Sequence, residues 1–176
     1  MRKAGFHLTR HPKLETQDSK RETLFRPSRR KGFTLIELLI VIAIIGILVG
    51  IGVPLYKSSI RKANEAAAVT SLSAIRIAQA KYVSDHKGQY GTFRELFEEG
   101  HLDKRFNYEQ PHERGYVFVI TLIPRSEDKA ASFSVNANPE QSQGIGATGK
   151  NFYYVDPESG ICFSKSGPAT AADDTL

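Results

Sequence analysis

Glu37 is the least expected residue in this chain. It lies in FTLIELLIVIAIIGILVGIGVPL, residues 33–55, where Thr34 is the other polar side chain. A carboxylate in an apolar helix of that kind is costly in lipid and demands a partner. Other groups capable of chemistry are present without the spacing that chemistry needs. His7, His11, His86, His101 and His112 show no metal-ligand pattern such as HExxH. There is no G-x-S-x-G, no P-loop and no G-x-G-x-x-G after a strand. The segment Gly144–Lys150 (GIGATGK) has a phosphate-loop flavour but lacks the Walker spacing and a following helix. Asp156 and Glu158 flank a proline in a turn, and two carboxylates fall short of the 6–8 oxygens of a calcium site. Cys162 is the one cysteine, so an internal disulfide and a CxxC centre are both excluded. Its place beside Phe163 suits a small buried side chain. The expectation is a chain that is not an enzyme, with no cofactor and no metal.

Charge is distributed unevenly. Residues 1–32 hold ten Lys/Arg against three Asp/Glu, a net +7, while residues 33–176 hold fourteen against sixteen, a net −2. The basic character of the whole chain therefore belongs to its first 32 residues, and direct binding of nucleic acid is not expected of the rest. With 40% apolar and 24% charged residues in 176, the composition is that of a folded protein.

Four segments must position these residues. Residues 1–32 are basic and polar without apolar periodicity, which reads as a disordered arm. Residues 33–55 form an apolar half-helix. Its 23 residues reach about 35 Å at 1.5 Å per residue, enough to cross a bilayer if Glu37 is tolerated. Residues 56–86 carry apolar side chains at Ile60, Ala63, Ala67, Val69, Leu72, Ile75, Ala78 and Tyr82, the stripe of an amphipathic helix. Pro54 is expected to kink one long helix rather than end it, so that the helix runs from about Phe33 to about Asp85, with Gly88 as the stop. Residues 87–176 form an α+β head with about four strands. A capping box at Thr92–Glu95 opens a short helix closed by Gly100. Strands are expected at Tyr116–Ile123, around Phe133–Ala137, at Phe152–Val155 and at Ile161–Phe163, with a Gly-rich loop over 139–151 and a frayed end from Ser166. His86 and His101 are expected at the surface, at helix or loop ends.

The stretch RRKGFTLIELLIVIAIIGILVGIGVP, residues 29–54, resembles the N-terminus of type IV pilins and type II secretion pseudopilins. A basic stretch ends in Gly32, Phe33 follows, Glu37 lies five residues past the glycine, and a long apolar helix continues through Gly46 to Pro54. The resemblance implies an α+β, pilin-like fold: a long N-terminal helix, its first half transmembrane, packed on a small antiparallel sheet. It also implies a processing route. A prepilin peptidase/methyltransferase would cut between Gly32 and Phe33, remove the leader 1–32, and methylate the new α-amine of Phe33. Glycine leaves an extended scissile segment unobstructed, and Arg29, Arg30 and Lys31 favour a cytoplasmic N-side. Lys57, Arg61 and Lys62 at the other end make that bias modest. Glu37 would serve assembly, paired with the α-amine of Phe33 on a neighbouring subunit. Read from the residues alone, the alternative for Glu37 is a charge near the membrane edge that snorkels to water. A 32-residue leader is long for the class, and a later translation start, at a codon such as that of Leu24, would shorten it. The C-terminal cysteine pair of many pilins is missing, as is an aspartate-rich calcium loop.

The implied function is that of a prepilin, a structural subunit that polymerises through its N-terminal helix. Its implied partners are itself, the prepilin peptidase, an inner-membrane assembly platform with its ATPase, and membrane lipid before assembly. It would be a single-pass precursor in the bacterial inner membrane, N-terminus cytoplasmic, and then part of a periplasmic or extracellular filament. A minor pilin or type II secretion pseudopilin is the alternative within the family. A membrane-anchored binding module that does not polymerise is the alternative outside it. Secretory cleavage after Ala66-Ala67-Ala68 fits poorly, because that site lies 13 residues past Val53 and the apolar run contains a glutamate.

Overall fold

The structure is a computed structural model that describes residues 32–176. The leader expected over residues 1–32 lies outside the described residues, apart from Gly32. The described residues fall into two units, 32–41 and 42–176. Helix α1, Leu35–Asp85, begins in the first and continues unbroken through Pro54. It ends where Lys87 and Gly88 turn left-handed, at φ 53° and 82°, with the Gly88 N–H donating back to the Val83 carbonyl at 3.1 Å.

The Ile42–Leu176 unit is α+β. Helix α2, Phe93–Glu98, follows the expected capping box: Thr92 and Glu95 exchange side-chain-to-backbone bonds. A 3-10 turn spans Lys104–Phe106. Six strands then form an antiparallel sheet in sequence order: β1 His112–Glu113, β2 Tyr116–Ile123, β3 Ser132–Pro139, β4 Phe152–Val155, β5 Cys162–Ser164 and β6 Asp174–Thr175.

Alternation on β2, β3 and β4 sends one face to the core. Tyr116 and Phe118, then Phe133, Val135 and Ala137, then Tyr153 and Val155 are buried against α1 residues Ala68, Leu72, Ile75, Ala78 and Tyr82. Register sets large beside small: Phe118 faces Ala137, which faces Tyr153. The small central side chain leaves room for an aromatic on each side.

The structure corrects three expectations. Six strands are present, where about four were expected. The two added strands have two residues each, too short for any alternation to show. The C-terminal end is paired rather than frayed: β6 joins β5, and the Leu176 N–H donates to the Ile161 carbonyl at 3.0 Å. The apolar stripe is also displaced at its start. Ile60 is exposed and Ala63 lies outside the core, whereas Ala68, Ser71 and Gln79 are inside it.

Gln79 and Ser71 are buried because their polar atoms are matched. Gln79 Nε2 donates to the Gly91 carbonyl at 2.6 Å, and its Oε1 accepts from the Gly91 N–H at 3.0 Å. A Cβ at Gly91 would stand 3.0 Å from the Tyr82 ring, a tight contact that favours glycine there. Ser71 Oγ donates to Glu113 Oε2 at 2.8 Å, and Arg105 closes the chain by pairing with Glu113 and, at 2.6 Å, with Asp103. The short strand β1 is pinned by this link from helix to turn.

Candidate functional site

Within the first unit the described residues are 32–41. Thr34 caps α1. Its carbonyl accepts from the Leu38 N–H at 3.3 Å, the first bond of the helical ladder. Its Oγ1 accepts from the Glu37 N–H at 3.2 Å. Glu37 Oε2 in turn accepts from the Thr34 N–H at 2.8 Å and hydroxyl at 2.9 Å. This is a complete capping box, Thr-x-x-Glu, and it gives the acidic residue a partner inside its own chain. Reading from sequence found the same spacing at Thr92–Glu95 and missed it here. The apolar run around Thr34 and Glu37 masks this helix-start spacing in the sequence.

Gly32 and Phe33 precede the cap outside the helix. A Cβ at Gly32 would meet nothing within 4 Å, and Phe33 is 90% exposed. The structure therefore brings Glu37 to Thr34 and leaves the Gly32–Phe33 peptide accessible.

Beyond Glu37 the run is apolar and uncovered. Its most apolar 18-residue window is entirely unburied, and α1 is the one described helix long and apolar enough to cross a membrane. Among the described residues, Cβ atoms at Gly46, Gly50 and Gly52 would meet nothing within 4 Å, so these glycines serve no packing there. A bare apolar surface of this size needs another medium, lipid or other helices.

Other clusters do not converge on a reaction. His86 Nε2 pairs with Glu99 Oε1 at 2.9 Å while its ring stacks on Tyr82 at 3.8 Å. His101 Nε2 stands 3.4 Å from Glu99 Oε2 without forming a hydrogen bond. Both histidines are thus partly exposed beside one glutamate, at the helix and loop ends expected of them. No group of three His, Cys, Asp or Glu suited to a metal ion occurs among the described residues. Cys162 is free and buried. Asp156 Oδ1 accepts from the N–H groups of Glu158 and Ser159 and from the Ser159 hydroxyl, which closes the 156–160 turn. Burial pushes its carboxyl up, but these donors outweigh burial and hold it below its ordinary value.

The Gly-rich segment is ordered by contacts. Thr148 Oγ1 donates to the Gly115 carbonyl at 2.7 Å and its N–H to the Gln141 carbonyl at 2.8 Å. Helix α1 fastens the segment: Asn64 Nδ2 donates to the Thr148 carbonyl, and Glu65 Oε1 accepts from the Lys150 N–H. Gly149 sits so close to Tyr116 that a Cβ would lie 2.0 Å from the phenol oxygen. Nothing in this geometry resembles a phosphate cradle at a helix start.

Comparison with known proteins bears on the same region. Residues 27–53 match the family described as the prokaryotic N-terminal methylation motif. The type IV major pilin protein PilA of Myxococcus xanthus is 42% identical over 73 residues, 42% of this chain and 32% of that protein. The type IV narrow pilus major component PilA5 of Thermus thermophilus is 56% identical over 59 residues, 30% of this chain and 51% of that one. A fimbrial protein of Pseudomonas aeruginosa is 43% identical over 58 residues, 33% of this chain and 38% of that one. The chain spans about a third to a half of the length of these relatives. No solved structure matches it. Over residues 27–53 the chain carries the prokaryotic N-terminal methylation motif, and in the sequence around it the chain is similar to type IV pilins.

Proposed function

We propose that this chain is a type IV prepilin, a structural subunit that is processed and then polymerises through α1. The observation that carries this reading is the uncovered apolar run of α1, with one carboxylate placed three residues past its cap. A core helix would be buried, and a plain anchor would use the acid for the cap alone. In the precursor, residues 33–55 cross the bacterial inner membrane once, with Arg29, Arg30 and Lys31 on the cytoplasmic side. A prepilin peptidase cuts the exposed Gly32–Phe33 bond and methylates Phe33. An assembly platform and ATPase then move the helix from lipid into a filament, where identical helices cover one another. Burial of apolar surface, at about 25 cal/mol per Å², favours the bundle over exposure to water. The relatives named as major components support a main subunit over a minor one.

Glu37 has a stated task in this reading. Cleavage creates an α-amine at Phe33 that did not exist before. Glu37 of one subunit pairs with the Phe33 amine of the next, and the pair rejects helix offsets that leave either charge alone.

Intact-mass and N-terminal analysis of membrane-extracted protein tests the processing. The expected mature chain starts at N-methylated Phe33, and Gly32→Glu accumulates the precursor. A mature chain starting near Val69 would instead indicate secretory cleavage and end the prepilin reading.

A further inference from the structure

The Gly144–Ala147 loop tip lies beside the end of the apolar run. Val53, Pro54, Lys57 and Arg61, one face of α1, and Ile145 and Ala147 of the loop line a groove of about 440 Å³. Ile145 at the tip is 85% exposed, an unusual position for a large aliphatic side chain that nothing in its own unit covers. The loop does not hang free. Asn64 and Glu65 fasten it to α1, Thr148 ties it to Gly115, and the chain then runs back along the helix to the level of Val53. Leu55 and Tyr56 at that level are also exposed.

The charge here has one sign. No ion pair among the described residues includes Lys57, Arg61 or Lys62. The nearest acid along the helix, Glu65, is engaged with the Lys150 N–H. Exposed aliphatic and aromatic side chains at the end of a membrane-length run, ringed by unpaired cations, are the makings of an interfacial contact. Apolar tips enter the boundary of the hydrocarbon, and Lys and Arg meet headgroup phosphates.

We propose that the Gly144–Ala147 loop and the Val53–Arg61 face of α1 form a foot that rests in the headgroup layer of an anionic phospholipid bilayer. The proposal rests on the reading that residues 33–55 span the membrane. The foot sets the depth at which the sheet-bearing unit stands against the bilayer before assembly. It also gives Lys57 and Arg61 a reason to flank the far end of the span, where they oppose the usual charge bias.

The test uses the full chain in lipid nanodiscs, one chain per disc, with hydrogen exchange read over residues 142–148. In discs containing phosphatidylglycerol these amides should exchange at least about tenfold slower than in a zwitterionic detergent micelle. Ile145→Ser should return exchange to within about twofold of the micelle value, and the double variant Lys57→Gln with Arg61→Gln, which keeps Ile145, should give intermediate protection. Discs of phosphatidylcholine alone should give intermediate protection, since Ile145 still inserts there. Equal exchange in discs and micelles overturns the foot while the span stands. Slowing that appears only with two or more chains per disc overturns it as well, assigning the surface to a second copy. A chain that does not enter discs at all removes the span and the foot together.

Discussion

Thr34 holds Glu37 through a single oxygen. Glu37 Oε2 takes both the Thr34 N–H, at 2.8 Å, and the hydroxyl, at 2.9 Å, while Oε1 has no hydrogen bond among the described residues. The cap therefore steadies the carboxylate at the helix start and leaves one oxygen for a second donor. In the proposed filament that donor is the α-amine of a neighbouring Phe33. Local capping and intermolecular pairing are compatible at the same carboxylate.

Variants at the two positions separate these roles. Glu37→Ala should insert and be cleaved normally, yet lower sheared-filament yield about tenfold or more at matched membrane levels. Glu37→Gln keeps the size and a carbonyl acceptor for the cap, so a defect as deep as that of Glu37→Ala would identify charge as the cause. Thr34→Val keeps the shape but loses the hydroxyl, and a smaller loss, on the order of two- to threefold, is expected. Wild-type filament yield from Glu37→Ala, by electron microscopy, would remove the pairing.

Gln79 offers a test of the fold that needs no filament. Its amide satisfies both backbone groups of Gly91 inside the core. Gln79→Leu matches the burial but leaves that N–H and carbonyl unpaired, each at about 1–3 kcal/mol. Thermal melting of the full chain in detergent should show a clear loss of stability. Gln79→Glu restores the acceptor for the N–H but sets a carboxylate against the Gly91 carbonyl, so its deficit should shrink as pH falls and the side chain is protonated.

Much of this architecture was legible in the residues, and the failures have physical reasons. The end of α1 at Asp85, the Thr92 cap and strand Tyr116–Ile123 follow from apolar period, capping chemistry and β-branched content. Leu72, Ile75, Ala78 and Tyr82 face the core as the helical stripe requires. Ser71 and Gln79 were not legible as core, because what satisfies them, Glu113 and Gly91, is brought near only by the tertiary fold. Strands β1 and β6 owe their pairing to neighbours rather than to pattern. The Thr34 cap was legible and overlooked. The Gly32–Phe33 junction and Glu37 stand out in the sequence, a glycine after a basic run and a carboxylate in an apolar one, and their roles in processing and assembly are proposals.

Gly149→Ala should be strongly destabilising for a change of one methyl group. The new Cβ would fall 2.0 Å from the Tyr116 oxygen and 2.6 Å from its Cζ. Tyr116 cannot yield easily, being buried and donating to the Asn151 carbonyl at 2.9 Å. A loss of about 1–3 kcal/mol is expected from overpacking. Tyr116→Phe relieves the closest contact and not the second. The double variant should therefore lose less stability than the two single losses combined, a coupling that melting curves of the four proteins can resolve.

The pH dependence should have two limbs with opposite causes. Burial pushes the Tyr116 phenol above its ordinary value of 10.0, with Glu65 adding to the effect, and burial also raises Tyr153 and Tyr154. A raised folded value means a contribution fully present below pH about 10 and lost as pH rises through the folded value. Hydrogen bonding to Arg105 lowers Asp103, and the donors around Asp156 lower it from 3.8. A lowered folded value means a contribution present above pH about 4 and lost as pH falls through the folded value. Melting temperature should be flat between about pH 5 and 9 and fall on both sides. Asp156→Asn should soften the acid limb alone; an unchanged acid limb would count against the turn as its source.

The strand order has a consequence for how the chain comes to be folded. Every strand pairs only with the strands next to it in sequence, from β1 through β6. No strand must wait for a distant segment before it finds an edge, so loop closure between partners stays short. A chain released end first, from a ribosome or through a membrane pore, can add each strand to one that has already emerged. The exposed edge at any moment is the site where the next strand will dock, and it exists only briefly. For a protein that also carries a bare apolar half-helix, this limits the time in which an unfinished sheet edge and that helix are both open to wrong partners.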